Sequence, residues 1–203
     1  MKITRKILFS AIVLTVLSLI GTLLVNKHML SSNLVRLHVV ANSDSSEDQT
    51  VKLLVRDAVI RALEGDLYDL SDVSEVKAYL QNRIPELETV ANEALKAAGS
   101  KDTAEITLSR EAFPVRQYET FRLPSGVYDS LKVKIGSGEG KNWWCVVFPS
   151  FCIGAVSEDI QSSAVSAGFS DSLTRTLRGD EGYELSFFFL DCLGKLENIF
   201  HFH

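Results

Sequence analysis

The side chains of this chain that could do chemistry are four histidines, three cysteines and a few carboxylate pairs. His38 is the most suggestive. It stands on an alternating apolar stretch, Leu34 to Val40, on the same side as Arg36, with Asn42 and Asp44 in the loop that follows. A His–Asp pair can serve as a general base. A hydrolase would also need a nucleophile, and no G-x-S-x-G or comparable elbow is present. The plainer expectation is a polar strand-end histidine bonded to its own loop. His28 borders an apolar run, and His201 and His203 stand two residues apart in the tail, a weak metal signature without further ligands. The residues lead us to expect no metal, no cofactor and no small-molecule substrate.

The glycine-rich stretch Gly136-Ser-Gly-Glu-Gly-Lys-Asn142 invites comparison with a phosphate loop. Ile135 stands where the first glycine belongs, and Asn142 replaces the Ser or Thr that would hold magnesium. It reads instead as a hairpin connection. Asp44/Glu47/Asp48, Glu86/Glu88 and Glu158/Asp159 read as helix starts and solvated faces, where acids offset the helix dipole. Trp143 and Trp144 are neighbours on a strand pattern, so they must point to opposite faces. One can fill a core, and the other is suited to anchor a partner. Cys145 and Cys152 flank Phe148-Pro-Ser150, a turn that could bring them together in a disulfide; buried free thiols are the alternative. Their spacing fits neither a zinc ribbon nor a C-x-x-C redox pair.

The elements that must position these groups follow from periodicity. Val35, Leu37 and Val39 share one face of a strand. Ser45 with Asp48, or Ser46 with Gln49, has capping-box spacing ahead of a helix whose apolar positions run from Val51 to Leu63. A second helical stretch starts at Ser71 or Asp72, is kinked or restarted at Pro85, and continues to Gly99. Ala104, Ile106 and Leu108 alternate as a strand does, and so do Leu131, Val133 and Ile135, with Lys132 and Lys134 facing the other way. Trp143 to Phe148 is dense enough for a central strand. Gly154 to Gly182 is weakly patterned apart from a short helix around Val165 to Leu177. Leu185, Phe188, Phe189, Cys192, Leu193, Leu196, Ile199 and Phe200 make one wide helical face, either packed on the core or reserved for a partner. The expected fold class is α+β: a mostly antiparallel sheet of about four strands with helices on one face.

The chain has 203 residues, 46% of them hydrophobic, and a formal charge of −5. That length can bury a genuine core. Lys2, Arg5, Lys6 and Lys27 stand in a head without acids, so the body is more acidic than the total. An acidic body with no basic cluster excludes nucleic acid as a partner. Ile7 to Val25 is uncharged, and as a helix about 28 Å long it matches the hydrocarbon core of a bilayer. The basic residues ahead of it predict export of everything after Lys27. Small-x-small cleavage sites are poor, Val16-Leu17-Ser18 being the better one, and no cysteine follows for a lipid anchor. Three parts are expected: residues 1–30 as signal peptide or membrane anchor, 34–153 as an α+β core domain, and 154–203 as a polar segment with an amphipathic helix.

Several segments together resemble one family. They are Leu34-Val-Arg-Leu-His-Val-Val-Ala-Asn-Ser-Asp-Ser-Ser-Glu-Asp-Gln49, Phe113-Pro-Val-Arg-Gln-Tyr118, Leu123-Pro-Ser-Gly-Val-Tyr128 and Ile135-Gly-Ser-Gly-Glu-Gly-Lys-Asn-Trp-Trp-Cys-Val-Val-Phe-Pro-Ser-Phe-Cys152. In order and approximate spacing they resemble the stage II sporulation protein R family of endospore-forming bacteria. Ser125 and Ser150-Phe151 depart from the family pattern, and the chain after Gly154 shows no clear match. The resemblance implies a protein made in the forespore and exported into the space between forespore and mother cell, released or tethered. There it would activate a membrane-embedded aspartic protease, stage II sporulation protein GA, which processes the precursor of the mother-cell sigma-E factor.

Such a protein is a ligand and not an enzyme. Its expected contact residues are Arg116, Tyr118, Trp143 and Trp144, with His38, Asn42 and Asp44 as a second loop. Two alternatives differ in kind: an extracytoplasmic hydrolase of peptidoglycan or peptides using His38 and Asp44, and a structural envelope protein held by residues 7–25.

Overall fold

A computed structural model describes every residue except 1, 65, 68–69, 71, 119–120, 150–167 and 202–203, and among the described residues it forms six strands and five helices. In order they are α1 (Lys2–Asn33), β1 (Val35–Val40), α2 (Ser46–Leu63), α3 (Val73–Ala97), β2 (Ala104–Phe113), β3 (Arg116–Gln117), β4 (Arg122–Leu123), β5 (Gly126–Ile135), β6 (Asn142–Phe148), α4 (Asp171–Arg178) and α5 (Glu184–His201). The main sheet has the order β2-β5-β1-β6, with β3 and β4 as a separate ribbon. β1 runs parallel to β5, and the other two pairings are antiparallel. The fold is α+β with a mostly antiparallel four-stranded sheet, as the alternation predicts.

The first core lies on one face of that sheet. Val35, Leu37, Val39, Leu131, Val133, Ala104 and Ile106 meet Val55, Val59 and Leu63 of α2 and Leu80, Leu87, Ala91 and Leu95 of α3. Each such large aliphatic side chain contributes roughly 1.5–3 kcal/mol when fully buried. Of the two capping patterns, the earlier one is used: the Ser45 hydroxyl accepts from the Asp48 backbone N–H at 3.1 Å. α3 starts after Asp72 and passes through Pro85 without a break. Proline removes a single backbone bond there and points to solvent, while Leu80, Leu87, Ala91 and Leu95 stay buried along one stripe.

Helices cover both faces of the sheet, not one. The second face carries its own core, in which Phe113, Tyr128 and Val146 meet Leu30 of α1, Leu34, Leu173 and Leu177 of α4, and Leu190 of α5. The extra layer comes from α1 and from the weakly patterned C-terminal third. α4 starts at Asp171 behind a Ser170 cap, later than the expected Val165, and ends at Gly179 in the left-handed conformation; residues 165–167 of the expected stretch lie outside the described residues.

The glycine-rich stretch is not a hairpin connection, because β1 lies between β5 and β6. It arches over the end of β1 instead, with the Gly140 N–H donating to Ala41 O at 2.9 Å. A Cβ on Gly140 would collide with the Ser43 carbonyl, so the arch can come this close only with glycine.

α5 is continuous through Gly194, and its broad apolar face is turned away from the core. Leu185, Phe188, Phe189, Leu196, Ile199 and Phe200 are exposed, while Phe187, Leu190, Asp191 and Gly194 are buried. Gly194 sits so close to the Ser125 carbonyl that any Cβ would clash. Among the described residues, α1 is the helix long and apolar enough to cross a membrane.

Candidate functional site

Beyond the second core, the same sheet face becomes polar. Strand pleating puts His38 of β1, Lys132 of β5, Glu111 of β2 and Trp144 of β6 on one side, with His38 opposite Lys132 on one flank and Trp144 on the other. His38 Nδ1 lies 3.1 Å from Glu111 Oε2, and Lys132 Nζ donates to Glu111 Oε1 at 2.7 Å. His38 Nε2 lies 2.8 Å from the Asn142 side-chain oxygen. Burial alone would raise the Glu111 carboxyl. The hydrogen bonds from His38 and Lys132 outweigh it and bring the pKa down to about 2.

Aromatic rings and guanidinium groups complete the face. The His38 ring stacks on Trp144 with centroids 5.6 Å apart, and the Arg116 guanidinium lies 3.6 Å from the Trp144 ring centre. Burial lowers Arg116 below the ordinary arginine value, and the nearby Arg36 charge adds to that. Arg36 is fully buried. It donates from Nη2 to the Tyr118 hydroxyl at 2.8 Å and lies over the Phe113 ring at 4.1 Å. Among the described residues, its Nε and Nη1 have no hydrogen-bond partner. Among the described residues, neither Arg36 nor Arg116 is paired with a carboxylate. A cation-rich, half-open aromatic face of this kind is suited to hold an acidic group of a partner.

The expected contact residues divide into three groups. His38, Arg116, Tyr118 and Trp144 meet on this face. Trp143 points the other way, onto the first core, with the Arg56 guanidinium 4.9 Å from its ring. Asn42 and Asp44 belong to the far end of the sheet and bind the glycine arch: Asn42 Oδ1 accepts from the Ser137 N–H at 2.9 Å, and Asp44 Oδ1 from the Lys141 N–H at 2.7 Å. The pairing of His38 with Asp44 does not occur, because Glu111 and Asn142 occupy the two ring nitrogens. Sequence reasoning missed Glu111 and Asn142 as His38 partners and Lys132 as the partner of Glu111; Lys132 alone had a signal, facing away from Leu131 and Val133. Cys145 is disulfide-bonded and Cys192 is free. Cys152, the expected partner of Cys145, lies outside the described residues, as does His203.

The comparisons with known proteins agree with one another. The sequence model of the stage II sporulation protein R family matches residues 31–158. The chain is 32% identical over 118 residues to stage II sporulation protein R of Bacillus subtilis (strain 168), a match covering 58% of this chain and 53% of that protein. The chain thus spans about half the length of the curated relative it matches. No solved structure matches. This chain belongs to the stage II sporulation protein R family. The matched region holds the whole sheet and the aromatic face; α4 and α5 lie outside it.

Proposed function

We propose that this protein is an exported sporulation signal. It acts in the space between forespore and mother cell, where it activates the membrane-embedded aspartic protease, stage II sporulation protein GA, and thereby starts processing of the sigma-E precursor. It does so as a protein ligand without turnover of its own. Binding can switch the protease only if it favours the active arrangement over the inactive one. Membership of a sporulation family supports the setting, and an apolar N-terminal helix suits export or tethering through residues 7–25. The observation that carries the ligand role is the Arg116–Trp144–His38 face, with Arg36 behind it unpaired with any carboxylate among the described residues. Since Glu111 and Asn142 take up both nitrogens of His38, we read the imidazole as organising this face.

Expression of the protein, the protease and the sigma precursor together in growing, non-sporulating cells tests this reading, with precursor size followed by immunoblot. Processing is expected only with all three present, and is expected to fall sharply in Trp144→Ala and Arg116→Ala chains that remain folded. Full processing by both variants would remove this face from the contact. No processing by the parent chain, with its body exported, would overturn the signalling role.

A further inference from the structure

α5 is assembled inside out for a helix surrounded by water. Apart from the buried Phe187 and Leu190, its protein-facing side is polar or small, while its other large apolar residues face outward. Asp191 accepts from the Ser125 N–H at 2.9 Å, Glu197 accepts from the Val127 N–H at 3.1 Å, Asn198 donates to Phe113 O at 2.9 Å, and His201 reaches Arg110 O at 3.2 Å. These anchors recur along one side of the helix and bind the backbone where β5 begins and β2 ends. On the opposite side, Leu185 is 72% exposed and Phe200 78%, with Phe188, Phe189, Leu196 and Ile199 between them. A contiguous exposed apolar stripe of this kind marks an interaction surface.

The place of α5 in the fold says what that surface meets. α1 leaves the body at the same end of the sheet. Lys27 pairs with Glu197 of α5, and a Cβ on Gly126, the first residue of β5, would stand 2.9 Å from Lys27 Nζ. Lys27 is only two residues past Val25, the last residue of the apolar run. Leu23, still inside that run, already packs against the second core. Once α1 is in a bilayer, the body therefore touches that bilayer. Leu196, Ile199 and Phe200, all exposed, flank Glu197 on the helix.

We propose that the outward face of α5 lies on the lipid surface of the membrane that α1 enters, as an interfacial amphipathic helix. Such helices bury their apolar face about 5–10 Å into the headgroup and acyl boundary. The inference rests on α1 being held in the membrane, and the test separates the two.

Full-length chains with Cys192→Ser would carry one added cysteine, labelled with an environment-sensitive fluorophore, in vesicles of phosphatidylethanolamine and phosphatidylglycerol. The label positions are Ile199→Cys and Leu196→Cys on α5, Leu14→Cys within α1, and Thr50→Cys on α2 as a solvent control. All four side chains are exposed, so the fold is retained. Lipids bearing a quencher high on the acyl chain are expected to remove most of the emission from positions 199 and 196. Those with a deep quencher should do the same at 14, and neither should affect 50. Quenching at 14 with positions 199 and 196 open to an aqueous quencher would overturn the α5 assignment and leave the anchor standing. Labels at 199 and 196 shielded from water but untouched by lipid quenchers would also overturn it, assigning the face to a second copy or another protein. Loss of quenching at 14 itself would remove the anchor, and the α5 assignment with it.

Discussion

The two faces of the sheet are built from the same strands by opposite means. Toward α2 and α3, alternate residues of β1, β5 and β2 are mostly aliphatic, and the face closes chiefly by burial, with the β5 carboxylate of Asp129 paired to Lys77 of α3 at 2.9 Å. Toward α1, α4 and α5 the same strands place a buried Arg36, then His38 and Glu111, then Lys132. Burial there must be offset by paired charges, ring contacts and hydrogen bonds, and in the case of Arg36 it is offset incompletely. A face built from apolar residues supplies stability, and one that retains unpaired donors preserves the ability to bind. On the reading proposed above, the aliphatic half is scaffold and the polar half is the one that answers to a partner.

Substitutions should separate the faces by size of effect. Leu131→Ala empties a fully buried position of the aliphatic face and is expected to lower unfolding free energy by about 2–5 kcal/mol in urea. Glu111→Gln comes next. The Glu111 carboxyl, held near 2 against an ordinary 4.5, adds stability that is complete above pH 4.5 and lost as pH falls toward 2. The wild-type advantage over Glu111→Gln should therefore be at most about 3 kcal/mol near neutrality and shrink through that window. An advantage independent of pH from 6 to roughly 2 would show that the ionised carboxylate is not what stabilises. Arg36→Met removes a buried cation with two orphaned donors, and we expect a gain of roughly 1 kcal/mol in stability together with weaker sigma-precursor processing. A marked loss of stability would make Arg36 a scaffold residue like its apolar neighbours. Leu185→Ser, on the exposed side of α5, should change unfolding in lipid-free solution by no more than about 0.5 kcal/mol.

The aliphatic face was legible in the sequence because alternation needs only local information: Val35, Leu37 and Val39, or Leu131, Val133 and Ile135, declare their side within a few residues. The cap at Ser45 was legible for the same reason. The polar face was not, since His38 meets Glu111 across 73 residues and only the strand order decides that meeting. Proximity in sequence favours pairing β5 with β6, whereas the structure inserts β1 between them. The apolar periodicity of α5 was read correctly as a face, yet periodicity cannot say which way a face points. Gly194 and Asp191 settle that: no Cβ fits at 194 beside the Ser125 carbonyl, and Asp191 accepts from the Ser125 N–H.

The joint between α1 and the body has a mechanical consequence. Leu30 and Leu34 are fully buried and Lys27 is tied to Glu197, so no slack linker separates the apolar helix from the sheet. A membrane helix answers a change in bilayer thickness by tilting. A body joined to it without a hinge turns through the same angle and carries the aromatic face with it. If α1 is held in a membrane, as proposed above, the thickness of the lipid layer around it becomes a variable of presentation. It then sets the bearing of His38, Arg116 and Trp144 relative to the membrane plane.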